Sequence, residues 1–164
     1  MTRARLPSRR RSAFTLVELV LVLSVLAIAS AVAVPRYAHA IQRYRLDAAA
    51  KRIAADLEYV GAYARAQSAG HSVTFDIPTC GYTSTAAPTG PDRHKASMKI
   101  SLGGEPYRVA LISASFGGSS TATFNGFGTP AAGGSVLIGA GKEGRRITLD
   151  AASGRATVSS EGIP

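Results

Sequence analysis

Glu18 is the single charged residue between Phe14 and Val34, a stretch of twenty-one residues whose other polar members are Thr15, Ser24 and Ser30. A carboxylate in hydrocarbon costs on the order of 2.5–3.5 kcal/mol near the middle of a bilayer and somewhat less near an end, so an acid in such a run marks a functional site by default. Its natural partner is an amine. The small pair Ser12-Ala13 stands directly before the run, and a cut between Ala13 and Phe14 would keep the helix and expose the Phe14 α-amine one helical turn from Glu18. Positions i and i+4 share a helix face, so the two groups can meet within one helix. Between helices, the amine of an incoming chain can instead neutralise the glutamate of one already in place, which gives an assembly its register. The bland alternative is a glutamate near a helix end that snorkels to the interface.

Other constellations offer less chemistry. "GAGKEG", Gly139 to Gly144, matches the spacing of a dinucleotide loop, but a helix would have to follow it and "RRITLD" reads as a strand. It is expected to be a hairpin turn. His71 and Asp76 fall on opposite faces of one predicted strand and no serine stands in an elbow motif, so no hydrolase triad is expected. His39, His71 and His94 are too scattered for a metal site, and the lone Cys80 lacks a redox partner. No enzyme, cofactor or metal is expected. If the strands around the turn from Asp150 to Gly154 pair, two or three of Arg145, Arg146 and Arg155 would share one exposed surface and attract a phosphate backbone. No aromatic platform accompanies them, and Asp150 and Glu143 dilute their charge.

These residues need elements to position them. At about 1.5 Å per residue, Phe14 to Val34 gives roughly 31 Å of helix, enough to span a bilayer core. Pro35 would ordinarily end or kink a helix. Yet Leu46, Ala50, Ile53, Leu57, Val60 and Ala64 recur at spacings of three and four, which predicts one helix to about Ala69 with Gly70 as its stop. Tyr37 suits a membrane interface, and Tyr44, Tyr59 and Tyr63 suit packing under a sheet or against neighbours. Beyond Gly70 the segments 71–77, 96–102, 106–112, 121–125, 135–139, 145–150 and 155–159 are short, β-branched or alternating, and separated by Gly- and Pro-rich turns. They predict a small antiparallel β domain on the second half of the helix, an α+β fold. Pro78 to Lys95 and Ser115 to Ser120 read as loops.

The 164 residues leave room for one ordinary domain beside the apolar run. A formal charge of +9 invites a nucleic-acid reading, but five of the nineteen basic residues, Arg3, Arg5, Arg9, Arg10 and Arg11, crowd the first thirteen positions. Without them fourteen basic residues face ten acidic ones, a balance of +4. Basic leader and apolar run together form the positive-inside signature: leader in the cytoplasm, bulk of the chain across the membrane. Arg43, Arg45, Lys51 and Arg52 then form a basic segment just outside it, read as a solvated helix face with slight lipid attraction.

With these residues in view, "AFTLVELVLVLSVLAI" followed by "AVPRY" resembles the class III signal of type IV prepilins and type II secretion pseudopilins. The resemblance implies that a prepilin peptidase cuts between Ala13 and Phe14 and methylates the Phe14 amine, that Glu18 docks subunits, and that Pro35 marks a point of local unwinding in the bundle. Ala13 departs from the usual glycine before the cut. Downstream, "DLEYVGAYARAQSAGHSVTFDI" and the closing segments from "ATFNGFGTP" to "GRATV" resemble the H-type pseudopilin and FimT-type minor pilin family. That implies a long helix packed on a small antiparallel β domain, and a minor pseudopilin in the inner-membrane pseudopilus of a type II secretion system, with the C-terminal domain in the periplasm. Its implied partners are other pseudopilins or pilins, the peptidase, the inner membrane and exported cargo. Two alternatives stand beside it: a FimT-like minor pilin of a type IV pilus that binds DNA through Arg145, Arg146 and Arg155, and a signal-anchored envelope protein whose leader is never cut.

Overall fold

The computed structural model describes residues 14–87 and 97–163. The expected leader with Ala13, His94 and most of the second half of the expected loop at Pro78 to Lys95 lie outside the described residues. One helix, α1, runs Leu16–Gln67. Eight strands follow: β1 His71–Asp76, β2 Gly81–Ser84, β3 Met98–Ser101, β4 Ala110–Phe116, β5 Thr121–Phe124, β6 Gly134–Ala140, β7 Glu143–Leu149 and β8 Ala156–Gly162. The chain divides into two compact units, Met1–His39 and Ala40–Pro164.

In the first unit, every described side chain from Phe14 to His39 is exposed. The helix opens on a capping arrangement: the Thr15 hydroxyl accepts the Glu18 backbone N–H at 3.1 Å, satisfying one of the donors that a helix start leaves unpaired. Thr15-x-x-Glu18 is the capping-box pattern. Ser24 returns its hydroxyl to the Val20 carbonyl at 2.8 Å, so this polar group is satisfied within the helix. The helix continues through Pro35.

In the second unit, Leu46, Ala49, Ala50, Ile53, Leu57, Val60 and Ala64 form a buried stripe, which includes every position that the helical spacing singles out. The stripe meets two four-stranded antiparallel sheets, ordered β3-β2-β1-β5 and β4-β6-β7-β8. Val73, Phe75, Tyr82, Ala122 and Phe124 supply the inner face of the first, and Leu111, Phe116, Val136, Ile138, Ile147 and Leu149 that of the second. Phe75 stacks on Phe116 with ring centroids 5.7 Å apart and joins the sheets into one core.

Three expectations are corrected. The helix stops at Ser68, not Gly70: Ser68 has φ +50°, its N–H bonds the Arg65 carbonyl, and the Ala69 N–H bonds the Ala64 carbonyl at 3.1 Å. That is a Schellman closure with serine in the left-handed position usually held by glycine. The expected loop from Pro78 contains β2, the second strand of the first sheet, whose Tyr82 and Ser84 are buried. The expected loop at Ser115 to Ser120 is shorter, because β4 starts at Ala110 and carries on to Phe116.

Candidate functional site

Phe14, Thr15 and Glu18 stand together at the start of α1, with the Phe14 side chain 75% exposed and the Glu18 N–H held by the Thr15 hydroxyl. Among the described residues α1 is the one helix long and apolar enough to cross a membrane, and none of its apolar stretch is buried. Everything that could shield those side chains must come from outside this chain's described residues. The side chain of Pro35 lies outside those residues.

Further along α1 the basic segment is answered by acids from β7, from the turn before β4 and from α1 itself. Arg43 donates to Glu143 of β7 at 2.6 Å, Arg45 reaches Glu105 at 3.7 Å, and Arg52 donates to Asp56 one turn on at 2.8 Å. Asp56 is buried and also accepts the Tyr82 hydroxyl at 2.6 Å. Burial, followed by the nearby Asp56 charge, pushes the Tyr82 hydroxyl far above the usual phenol range, so it stays a donor. The Arg52 guanidinium is held more firmly protonated, first by its hydrogen bond to Asp56. This triad ties the helix to β2. Tyr59 adds a hydrogen bond to the Ala87 carbonyl at 2.8 Å, while Tyr44 is exposed.

The three C-terminal arginines do not all share one surface. Arg145 and Arg146 are neighbours on β7, so they leave opposite faces of the sheet. Arg145 turns to the helix and donates to Asp47 at 2.6 Å. Arg146 turns outward and grips Glu161 of β8 with two guanidinium nitrogens, one at 2.6 Å, while a third hydrogen bond reaches the Ser135 hydroxyl at 3.0 Å. That grip holds the Glu161 carboxyl below its usual range. Arg155 is exposed in the turn before β8 and makes no ion pair with a described residue. Asp150 is likewise held low, chiefly by hydrogen bonds from the Ser153 side chain and backbone. The acids Asp47 and Glu161 escaped sequence reasoning because Asp47 meets a partner on a strand far along the chain and Glu161 lay beyond the expected end of β8, whereas Asp56 has a signal in Arg52 four residues before it.

"GAGKEG" is the β6–β7 hairpin: Gly139 pairs with Gly144 and Ala140 with Glu143, leaving Gly141 and Lys142 as a two-residue turn. Gly141 has φ +62°, the conformation that such turns ask of glycine. His71 lies edge-on to Tyr63 and its Nδ1 is 3.2 Å from the Thr85 hydroxyl, while Asp76 accepts the Thr79 hydroxyl at 2.6 Å. The two residues meet different threonine hydroxyls and not each other. Among the described residues no three His, Cys, Asp or Glu side chains stand close enough to hold a metal ion.

Against this geometry, residues 8–34 match the family model described as the prokaryotic N-terminal methylation motif. The chain carries a prepilin-type N-terminal methylation motif. The matched residues include Ala13, Phe14 and Glu18. Among solved structures the chain is similar to the type IV minor pilin FimU of Pseudomonas aeruginosa, at 21% identity and a TM-score of 0.51, over 71% of this chain and 90% of that one. The fold beyond the prepilin motif is therefore pilin-like, one long helix packed on a small antiparallel β domain. No curated protein matches the sequence.

Proposed function

We propose that the protein is a minor, structural subunit of a pilus-like fibre of the bacterial inner membrane, and not a catalyst. The observation that carries this is the exposed apolar helix start, with Phe14 and Glu18 one turn apart, preceding a unit that has its own buried core. The leader stays in the cytoplasm, the peptidase cuts between Ala13 and Phe14 and methylates the new amine, and Glu18 receives the amine of a neighbouring subunit. Apolar helices, Pro35 included, bundle at the fibre axis, and the β units stand in the periplasm around it. The finer reading is an H-type pseudopilin in the pseudopilus of a type II secretion machine, with exported cargo as a further contact. The likeness to FimU favours a second reading, a minor pilin of a type IV pilus.

DNA capture by that pilus would rest on Arg145, Arg146 and Arg155. The carboxylates of Asp47 and Glu161 already occupy the first two, and a phosphate would have to displace them. Salt-dependent DNA binding by the full chain that disappears when all three arginines are replaced would revive it.

The test of the main reading is the mass of the N-terminal peptide of the protein from its host envelope. A peptide beginning at N-methylated Phe14 supports it. An intact Met1 leader in a host with active peptidase, or a start beyond Val34, overturns it.

A further inference from the structure

The two sheets have four edges, and three of them are blunted. Strand β3 is four residues long and carries Lys99. Strand β5 is covered by the returning chain: the Asn125 N–H bonds the Thr129 carbonyl, the Ala131 N–H bonds the Thr123 carbonyl, and Phe124 bridges to Pro130. Strand β4 is interrupted by a bulge between Leu111 and Ser113. Short strands, lysines, bulges and covering segments are the means by which sheet edges avoid pairing with other chains.

Strand β8 has none of these. It is seven residues long, pairs with β7 in an unbroken register from Leu149↔Ala156 to Glu143↔Gly162, and contains no Pro or Lys. The direction of its backbone follows from three bonds. The Asp150 N–H bonds the Arg155 carbonyl and the Ile163 N–H bonds the Lys142 carbonyl, so the odd-numbered residues face β7. The Ala156 N–H points the other way, to the Glu58 carboxylate at 3.1 Å. Val158, Ser160 and Gly162 therefore direct their N–H and C=O groups off the open edge, and among the described residues nothing bonds to them. The side chains beside them are small, and the one charge, Glu161, is already gripped by Arg146.

We propose that this edge is a docking strand, and that its occupant is an extended strand of a neighbouring subunit anchored in the same membrane. The inference rests on the fibre reading given above. Strand polarity selects this occupant over a symmetric pair of β8 strands. Strand β8 starts level with Glu58 and ends beside Glu143, the partner of Arg43, so it runs against the direction of α1. Subunits anchored in one membrane present α1 in the same sense, and an antiparallel β8–β8 pair would turn one of them over. An antiparallel partner must instead run along the direction of α1. Joining this edge to a strand other than its own symmetry copy is a heterologous contact, the kind that propagates into filaments. Recognition is through main-chain hydrogen bonds, with a small apolar residue against the half-exposed Val158.

The full chain in its host tests this. Ser160→Pro removes an N–H that no internal bond uses and sets a ring in the path of the incoming strand, a substitution that edge strands tolerate. It is expected to lower co-isolation with the other fibre subunits by about tenfold, the equivalent of one or two lost hydrogen bonds, while Ser160→Ala behaves as wild type. In the unaltered chain, the Val158, Ser160 and Gly162 amides should exchange about tenfold more slowly in the assembly than in detergent-dispersed protein. Wild-type co-isolation of Ser160→Pro, or equal exchange in the two states, overturns the docking strand. If Phe14 is methylated and the chain co-assembles in either of those cases, the fibre reading survives alone. If the leader is retained and no assembly forms, both fall.

Discussion

Asp56 is a carboxylate enclosed by the helix and the first sheet, and it accepts from both Arg52 and Tyr82. Taking away one donor leaves a buried acceptor short of a partner, which costs more than the bond itself contributes. Tyr82→Phe keeps the ring and removes that donor, so it is expected to destabilise the chain by about 1.5–3 kcal/mol in a denaturant titration. The raised Tyr82 pKa also sets an alkaline limit. The unfolded phenol ionises near 10.0 while the folded one stays protonated, so this part of the stability is complete below that pH and declines above it. Tyr82→Phe should remove that alkaline slope; an unchanged slope would show that other groups cause it. At the helix start, the proposed fibre role predicts that Glu18→Ala abolishes co-isolation with fibre subunits while leaving the melting of the second unit unaltered. Glu18 stands out from its sequence surroundings, because one acid in an apolar run is conspicuous. Its capping partner Thr15 was legible in principle too, from the Thr-x-x-Glu spacing. The acid partner of Arg145 was not: Asp47 lies 98 residues away, and no local pattern links them.

The turn between β5 and β6 shows how closely an element can be specified. Asn125 Oδ1 accepts the N–H groups of Phe127 and Thr129, each at 3.0 Å, and Arg65 of α1 donates to the Phe127 carbonyl at 2.9 Å. Gly128 sits at φ +74°, and a Cβ there would meet the Gly61 carbonyl oxygen of the helix. Gly128→Ala is expected to cost about 1–3 kcal/mol for the backbone alone, with the clash added. Gly118→Ala, at φ +91° in open space, should show the backbone part only, and chemical denaturation of both variants separates the two. The β7–β8 hairpin has its own pH limit. Arg146 depresses the Glu161 pKa from 4.5, so its contribution is present above that value and is lost as pH falls through the lower folded one. Glu161→Gln should shrink the acid slope in a pH series of melting curves. Periodicity made α1 and most strands readable, since buried stripes repeat. It missed β2 because Gly81, Thr83 and Ser84 resemble turn residues, and only the buried Tyr82 reveals a strand. It placed the helix end two residues late because glycine is the usual left-handed residue and Ser68 took that place.

For the whole molecule, the contrast between an exposed apolar unit and a folded one was readable from hydropathy alone. The division of the strands into two sheets was not, since the alternation of one strand does not say which neighbour it chooses. One consequence concerns the order in which the chain can fold. The bonds that fasten α1 to the second sheet join Arg43 to Glu143, Asp47 to Arg145 and Glu58 to Ala156, separations of 100, 98 and 98 residues. As the ribosome delivers the chain, the helix is made first and its clasp last. Contacts this distant in sequence slow folding, because a long loop must close before any of them forms. The buried stripe from Leu46 to Ala64 therefore spends most of synthesis uncovered. A chain ended at Ala140 lacks the whole clasp, and trypsin is expected to cut it at Lys51 and Arg52 under conditions in which the complete chain resists.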